Sequence, residues 1–211
     1  MTYQDVAIIG AGASGSTAAF HLSNLGNKVV LLEKNKKTFA KPCGGGMASS
    51  VQKWFPFDLT PIVEEVIKKV EFTYCLEDTV VAELPGESPF WIVKREVLDS
   101  FLINKAINEG SEFIEEFEAV KIKKQSNLWE ITALDGREIQ AKSLIIADGS
   151  QSIWPRKFNL GPHKQNHAST FSVRLKGKGN IKKGTARFEF GLVPYGFAWA
   201  FPIEEGVNIG V

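Results

Sequence analysis

Apolar residues follow several distinct rhythms along the chain. Residues 4–9 form a short, continuous, partly β-branched apolar run bounded by glycine, the pattern of a parallel strand buried on both faces. From 13 to 25, small and apolar residues recur at helical spacing, and Gly26 stands where a helix C-terminus favours glycine. Residues 28–32 read as a second buried strand ending at Glu33, which completes a βαβ unit. Residues 34–50 are polar, basic and glycine-rich, and predict a long functional loop. Two β-type runs follow, 66–76 and 79–84, joined around Glu77 and Asp78, with Cys75 alternating into the core. A short strand at 91–93 leads into a helix over 95–108, whose apolar face carries Val97, Leu98, Phe101, Leu102 and Ala106 and which stops at Gly110.

Residues 112–141 alternate as a meander, with Asp135-Gly136 as a hairpin turn. Residues 143–147 form another fully apolar strand. After Pro155 come strand-like runs at 168–175, 185–190 and 197–203, and the chain ends on an alternating run at 207–211. The pattern predicts an α/β fold: a Rossmann-type βαβ sheet with an antiparallel insertion, then a second antiparallel sheet. Residues 63–90 and 160–211 must meet in space to build that second sheet.

One segment carries specific chemistry. Gly10-Ala11-Gly12-Ala13-Ser14-Gly15 follows a strand, opens a helix and precedes Glu33 at the tip of the next strand. Gly10 permits the tight turn, Gly12 admits a pyrophosphate close to the backbone, and Gly15 lets helix and strand pack closely. The helix N-terminus offers N–H groups and partial positive charge to a diphosphate. Glu33 is placed to accept from adenosine ribose hydroxyls and disfavours a 2′-phosphate there. The motif does not by itself separate FAD from NAD. The sheet does not continue directly with further βα units, however, and the strand at 143–147 ends in Asp148-Gly149, at the edge where open α/β sheets bind ligands.

Composition narrows the classes. With 211 residues, 44% hydrophobic and 23% charged, the chain is ordinary for a globular protein, and disorder or fibrous repeats are excluded. A formal net charge of +1 gives no general attraction to nucleic acid. Two cysteines, Cys43 and Cys75, make no disulfide scaffold and point to a reducing, cytoplasmic setting. No signal peptide or bilayer-length apolar run is visible. His163 and His167 lack an acidic third ligand, so no metal site is expected. The basic clusters at 34–37 and 176–183 read as solvated surface, with at most peripheral contact to anionic lipid.

The glycine motif with Glu33, Arg95 opening a helix after a short strand, and the Asp148-Gly149 step resemble the FAD-dependent aromatic hydroxylase-like flavoproteins. Lys41-Pro42-Cys43-Gly44-Gly45-Gly46 resembles the Cys-Gly-Gly-Gly segment of geranylgeranyl reductases. Pro194-Tyr195-Gly196-Phe197-Ala198-Trp199-Ala200-Phe201-Pro202, with Val207-Asn208-Ile209-Gly210-Val211, resembles that family's Tyr-x-Trp-x-Phe-Pro strand and its Asn-x-Gly continuation. The resemblance implies an FAD-binding domain at 1–62 plus 91–159 and a substrate-binding sheet at 63–90 plus 160–211. It also implies an FAD-dependent oxidoreductase that reduces double bonds of a polyprenyl or other apolar substrate. The electron donor would be external, NAD(P)H or ferredoxin. An FAD monooxygenase or halogenase, or a non-catalytic nucleotide-binding fragment, shares the same scaffold. A later Gly-Asp segment of the family has no counterpart by Val211, so the chain is expected to be the N-terminal portion of such an enzyme.

Within that resemblance, Gly10, Gly12, Gly15, Glu33, Lys34, Cys43, Gly44, Gly45, Arg95, Asp148 and Gly149 are the expected cofactor-binding residues. Cys43, Tyr195 and Trp199 are the expected catalytic ones. Lys41 beside Cys43 favours a reactive thiol, the alternative being a buried cysteine in a flexible loop. Arg95 offers a fork to the diphosphate, or is a solvated charge at a helix start. Asp148 binds a ribityl or ribose hydroxyl, caps the turn, or does both. Tyr195, Phe197, Trp199 and Phe201 alternate on one strand face. They line an apolar pocket or form an ordinary packed sheet face.

Overall fold

Continuous apolar runs become central strands here, and alternating runs become strands with one solvated face. The computed structural model describes residues 2–36, 41–160, 167–177 and 182–211. His163, Lys37 and Lys178 lie outside the described residues, so the His163–His167 pair and parts of both basic clusters are not placed. The chain divides into two compact units, Met1–Phe39 with Leu98–Asn166, and Ala40–Val97 with His167–Val211.

The first unit contains β1 (Thr2–Ile9), α1 (Ala13–Asn24), β2 (Val29–Leu32), most of the helix α2 (Arg95–Asn108), β8 (Glu112–Ile114), β9 (Ala119–Gln125), β10 (Leu128–Ala133), β11 (Glu138–Ile146) and α3 (Trp154–Lys157). Its sheet has the order β8-β2-β1-β11-β10-β9. β1 lies parallel to both β2 and β11, and β8 is parallel to β2. Every residue of β2 is buried, which explains its lack of alternation. Each such side chain stabilises the fold by about 1.5–3 kcal/mol relative to an exposed one. Ala7, Ile9, Val30 and Leu32 pack with Phe117, Ile131 and Ile139 on one sheet face.

The expected break between a meander and the strand at 143–147 is absent. β11 runs unbroken, pairing antiparallel with β10 through the Asp135-Gly136 turn while also pairing parallel with β1 from Ile139 to Ile146. One strand therefore ends the hairpin and carries the chain to the functional edge. The buried face of α2 is Leu98, Asp99, Leu102, Ile103 and Ala106. It is rotated from the expected stripe, leaving Val97 exposed.

The second unit contains β3 (Gly46–Ala48), β4 (Val63–Ile67), β5 (Lys69–Tyr74), β6 (Glu77–Glu83), β7 (Phe90–Val93), β12 (Ser172–Lys176), β13 (Thr185–Phe190), β14 (Ala198–Ile203) and β15 (Gly206–Gly210). Six of these form a sheet in the order β12-β15-β14-β13-β5-β6, and β3-β7-β4 form a small separate sheet. The two distant segments do meet, but through a parallel β13–β5 pair, so the second sheet is mixed rather than wholly antiparallel. The expected boundaries at 62/63 and 90/91 flank strands of the small sheet. Residues 40–62 and 91–97 therefore group with the second unit, because β7 pairs with both β3 and β4.

Cys75 was expected in the core, and the structure places it exposed in the β5–β6 turn. Cys75 and Leu76 both have positive φ, 50° and 68°, the conformation of a two-residue type I′ hairpin turn. Neither is a usual residue for such a turn. It is held from the neighbouring strand: Cys75 N–H donates to Phe190 O at 2.9 Å and Leu76 N–H to Glu189 Oε1 at 2.9 Å. Buried Glu189 also accepts from the Thr73 hydroxyl and, at 3.4 Å, from Arg187.

Candidate functional site

The parallel register of β1 and β11 brings Gly10 to the start of the Ala147-Asp148 segment, since Ile9 pairs with Ile146 and Ala147 N–H donates to Ile9 O at 2.7 Å. Gly10 has φ of 98°, and a Cβ there would lie 2.4 Å from Ala147 O. Gly15 is equally constrained, because a Cβ would meet Gly10 O at 1.9 Å. Gly12 is the N-cap of α1; no side chain caps this end and its first turn holds no acid. The N–H groups and partial positive charge at this end are thus left for an anion.

Glu33 lies beside this turn, buried, and its carboxylate does more than expected. Oε2 accepts from Ala11 N–H at 2.9 Å, and Oε1 accepts from both the Asn35 N–H and the Asn35 side-chain amide at 3.1 Å. The acid therefore shapes the glycine turn as well as offering a remaining lone pair on Oε2 to a hydroxyl. Lys34 is exposed. Gly149, with φ of 93°, is exposed directly after Asp148. Asp148 Oδ1 is buried without a partner, the one such carboxylate oxygen among the described residues. A cradle that Cβ atoms would fill, an uncapped helix start and an orphaned carboxylate oxygen together fit a dinucleotide.

The second unit has its own constellation. The loop before β3 lies on the face of β14 and β15. A Cβ on Gly44 would stand 2.7 Å from Phe201 Cε2 and 2.9 Å from Trp199 Nε1. Gly45 has φ of 78°, and a Cβ there would lie 2.0 Å from Val93 O. Half-buried Cys43 accepts a hydrogen bond on Sγ from Gly45 N–H at 3.3 Å. Asn208, on β15, donates from Nδ2 to Cys43 O at 3.0 Å and Gly44 O at 3.3 Å. Arg95 opens α2, partly buried.

Of the expected aromatic row, Trp199 and Phe201 are buried and pack with Ile67, Ile92, Ala186 and Ile203. Phe197 is half-exposed beside Trp199, with ring centroids 6.4 Å apart. Tyr195 does not join them. It precedes β14 in a turn, with φ of 57° and a fully exposed side chain, so the alternation does not extend back to it. The aromatic floor instead continues sideways through Phe188, Phe72 and Phe190. These three rings were not singled out from the sequence, although the alternation of Phe188 with Phe190 was a usable signal. Asn208 stood there only within the Asn-x-Gly continuation, with no role assigned to it.

Among the described residues no group of acids, cysteines and histidines is placed to hold a metal. Among the described residues no helix is long and apolar enough to cross a membrane.

The first unit defines a dinucleotide-binding oxidoreductase-type domain, with a glycine cradle at the carboxyl ends of parallel strands. Over residues 4–184 the sequence matches the pyridine nucleotide-disulphide oxidoreductase family, and the chain belongs to it. It is 29% identical over 220 residues to digeranylgeranylglycerophospholipid reductase 2 of Methanothermobacter thermautotrophicus, covering 98% of this chain and 56% of that protein. Its fold matches that of a geranylgeranyl bacteriochlorophyll reductase-like protein from Thermoplasma acidophilum with a TM-score of 0.87, at 22% identity, over 100% of this chain and 56% of that one. It also matches halogenase PltM, solved with phloroglucinol and FAD, with a TM-score of 0.76 at 16% identity, over 98% of this chain and 51% of that one. The chain spans about half the length of the relatives it matches.

Proposed function

We propose that this chain is the cofactor-binding and substrate-facing portion of an FAD-dependent oxidoreductase that reduces double bonds of a polyprenyl or similarly apolar substrate. The observation that carries the reading is the cradle in which Gly10 fits against Ala147 and Asp148, with Asp148 Oδ1 buried and unpartnered. When bound, FAD supplies the two-electron chemistry that no side chain here provides. The residues of this chain hold and orient. The α1 N-terminus and Gly12 meet the diphosphate, Glu33 and Asp148 accept from hydroxyls, and Arg95 offers a fork to phosphate oxygens. Gly44 and Gly45 give a planar ring a surface free of side chains.

In this reading Cys43 holds or delivers a proton at the substrate, and the Gly45 N–H donated to its sulfur supports a fixed orientation of the thiol. Trp199 backs that loop, and the half-exposed rings of Phe72, Phe190 and Phe197 give apolar chains a surface. Tyr195, exposed in the turn before β14, is given no part in this surface. Similarity to a digeranylgeranylglycerophospholipid reductase supports a lipid substrate. An external donor, NAD(P)H or ferredoxin, would supply the electrons in this reading. The two free cysteines support a cytoplasmic setting.

Titration of the purified protein with FAD, followed by its visible absorbance, tests cofactor binding, and Arg95→Ala should lower occupancy. A protein that takes up no FAD refutes the reading. Anaerobic reduction and then addition of a polyprenyl substrate should restore the oxidised spectrum, and Cys43→Ser should slow that recovery while leaving FAD content intact. Recovery that requires oxygen and an aromatic substrate together would instead assign a monooxygenase or halogenase, the chemistry to which the PltM fold likeness points.

A further inference from the structure

We propose that Asn208 is a positioning residue for the Cys43 thiol, acting through the two peptide groups that set where the sulfur points. The inference rests on the assignment of Cys43 to the reacting site. Asn208 lies 165 residues from Cys43, on a different element, and is 2% exposed. Its Nδ2 bridges two successive carbonyls, Cys43 O at 3.0 Å and Gly44 O at 3.3 Å, and so fixes both peptide planes. The next N–H along the chain, Gly45, donates to Cys43 Sγ at 3.3 Å. The turn is thus closed on one side by an amide and on the other by the thiol. With the sulfur accepting from Gly45, the thiol hydrogen is left to point away from it.

Residues 44–46 are all glycine and bring no side chain with which to order themselves, so the conformation must be imposed from outside. Among the described residues, two buried polar atoms of the second unit have no partner. Asn208 Oδ1 is one, and Trp199 Nε1, next to the position a Gly44 Cβ would occupy, is the other. Asn208 directs its donor to the loop, and that one donor reaches both carbonyls.

The test is alkylation of Cys43 by iodoacetamide in a Cys75→Ser background, where it is the only thiol, with thermal unfolding as a check on the fold. Asn208→Asp preserves shape but replaces the donor with an acceptor facing two carbonyls. It should alkylate roughly three- to tenfold faster than the parent at pH 8, the factor that corresponds to one net hydrogen bond. The ratio of variant to parent rate should fall toward one at pH 5, as the introduced carboxyl regains a proton to donate. Asn208→Leu, which keeps the volume, lacks the donor and adds no charge, should also alkylate faster than the parent, whereas a volume-filling role leaves its rate at the parent's. A rate at or below the parent's at pH 8, with the fold intact, overturns the proposal. Should Asn208→Asp fail to fold, Asn208→Ser decides by the same rate, faster in support and equal or slower against. No flavin is present in the assay. Failure of FAD binding and failure of the Asn208 role are therefore read separately.

Discussion

Replacing Gly44 with alanine tests the contact between the glycine loop and the aromatic face. The added methyl would lie 2.7 Å from Phe201 Cε2, 2.9 Å from Trp199 Nε1 and 3.1 Å from Phe201 Cδ2. These rings are not free ends that can swing aside, since both sit in the core with Ile67, Ile92 and Ala186. Overpacking of this kind costs about 1–3 kcal/mol. Gly44 has no positive φ, so no backbone strain is added, and alanine lowers the unfolded-state entropy by about 0.4–1 kcal/mol in its favour. At the middle of both ranges the net expectation is a loss of about 1.3 kcal/mol, or roughly 3–5 °C in Tm for a chain of this length. Gly196→Ala is the control, because its methyl meets nothing nearer than Val193 Cγ1 at 3.3 Å. It should stay within about 0.5 kcal/mol of the parent. Differential scanning calorimetry of both variants decides the matter. If Gly44→Ala is as stable as Gly196→Ala, the loop does not pack on Trp199 and Phe201 as described.

Two further outcomes follow from the same structure. The Thr73 hydroxyl, with the Leu76 N–H and Arg187, holds the Glu189 carboxyl below its ordinary range against the opposing effect of burial. A depressed folded-state value means the stabilisation is fully present above the unfolded carboxylate pKa and is lost as pH falls through the folded one. Thermal melts from pH 7 to pH 3 should therefore decline less steeply for Glu189→Gln than for the parent, and parallel curves would deny the latch. Gly10→Ala combines strain at φ of 98° with a methyl 2.4 Å from Ala147 O. It should destabilise by more than about 2 kcal/mol in denaturant unfolding and abolish FAD uptake in the absorbance titration. Parent-like stability would mean the cradle is looser than the structure shows.

Features that depend on neighbouring residues were legible before any coordinates. The βαβ unit with its glycine turn, the Asp135-Gly136 hairpin, and α2 with its start at Arg95 each follow from periodicity, capping preference or turn chemistry within a dozen residues. So does the placement of Gly10, Gly12 and Gly15 at a strand-to-helix turn. The Cys75-Leu76 turn was not legible, because its positive φ values are imposed by β13 and Glu189 rather than by glycine or asparagine. The reach of the aromatic row was overestimated for a related reason. Alternation holds only while the chain stays extended, and Tyr195 lies where it has already turned.

The sequence by itself determined the class of the longer elements and the chemistry of the nucleotide turn, since both arise from local sterics and hydrogen bonding. It read as loop the stretch that holds β3, however, and did not mark α3. Only the tertiary structure decided that β5 lies parallel to β13, that β11 serves a hairpin and a parallel pair at once, and that Glu33 ties down Ala11. It alone joined Asn208 to the peptide after Cys43. Such pairings are chosen by the simultaneous burial of whole faces and the satisfaction of buried donors, and neither is written in any short stretch of chain.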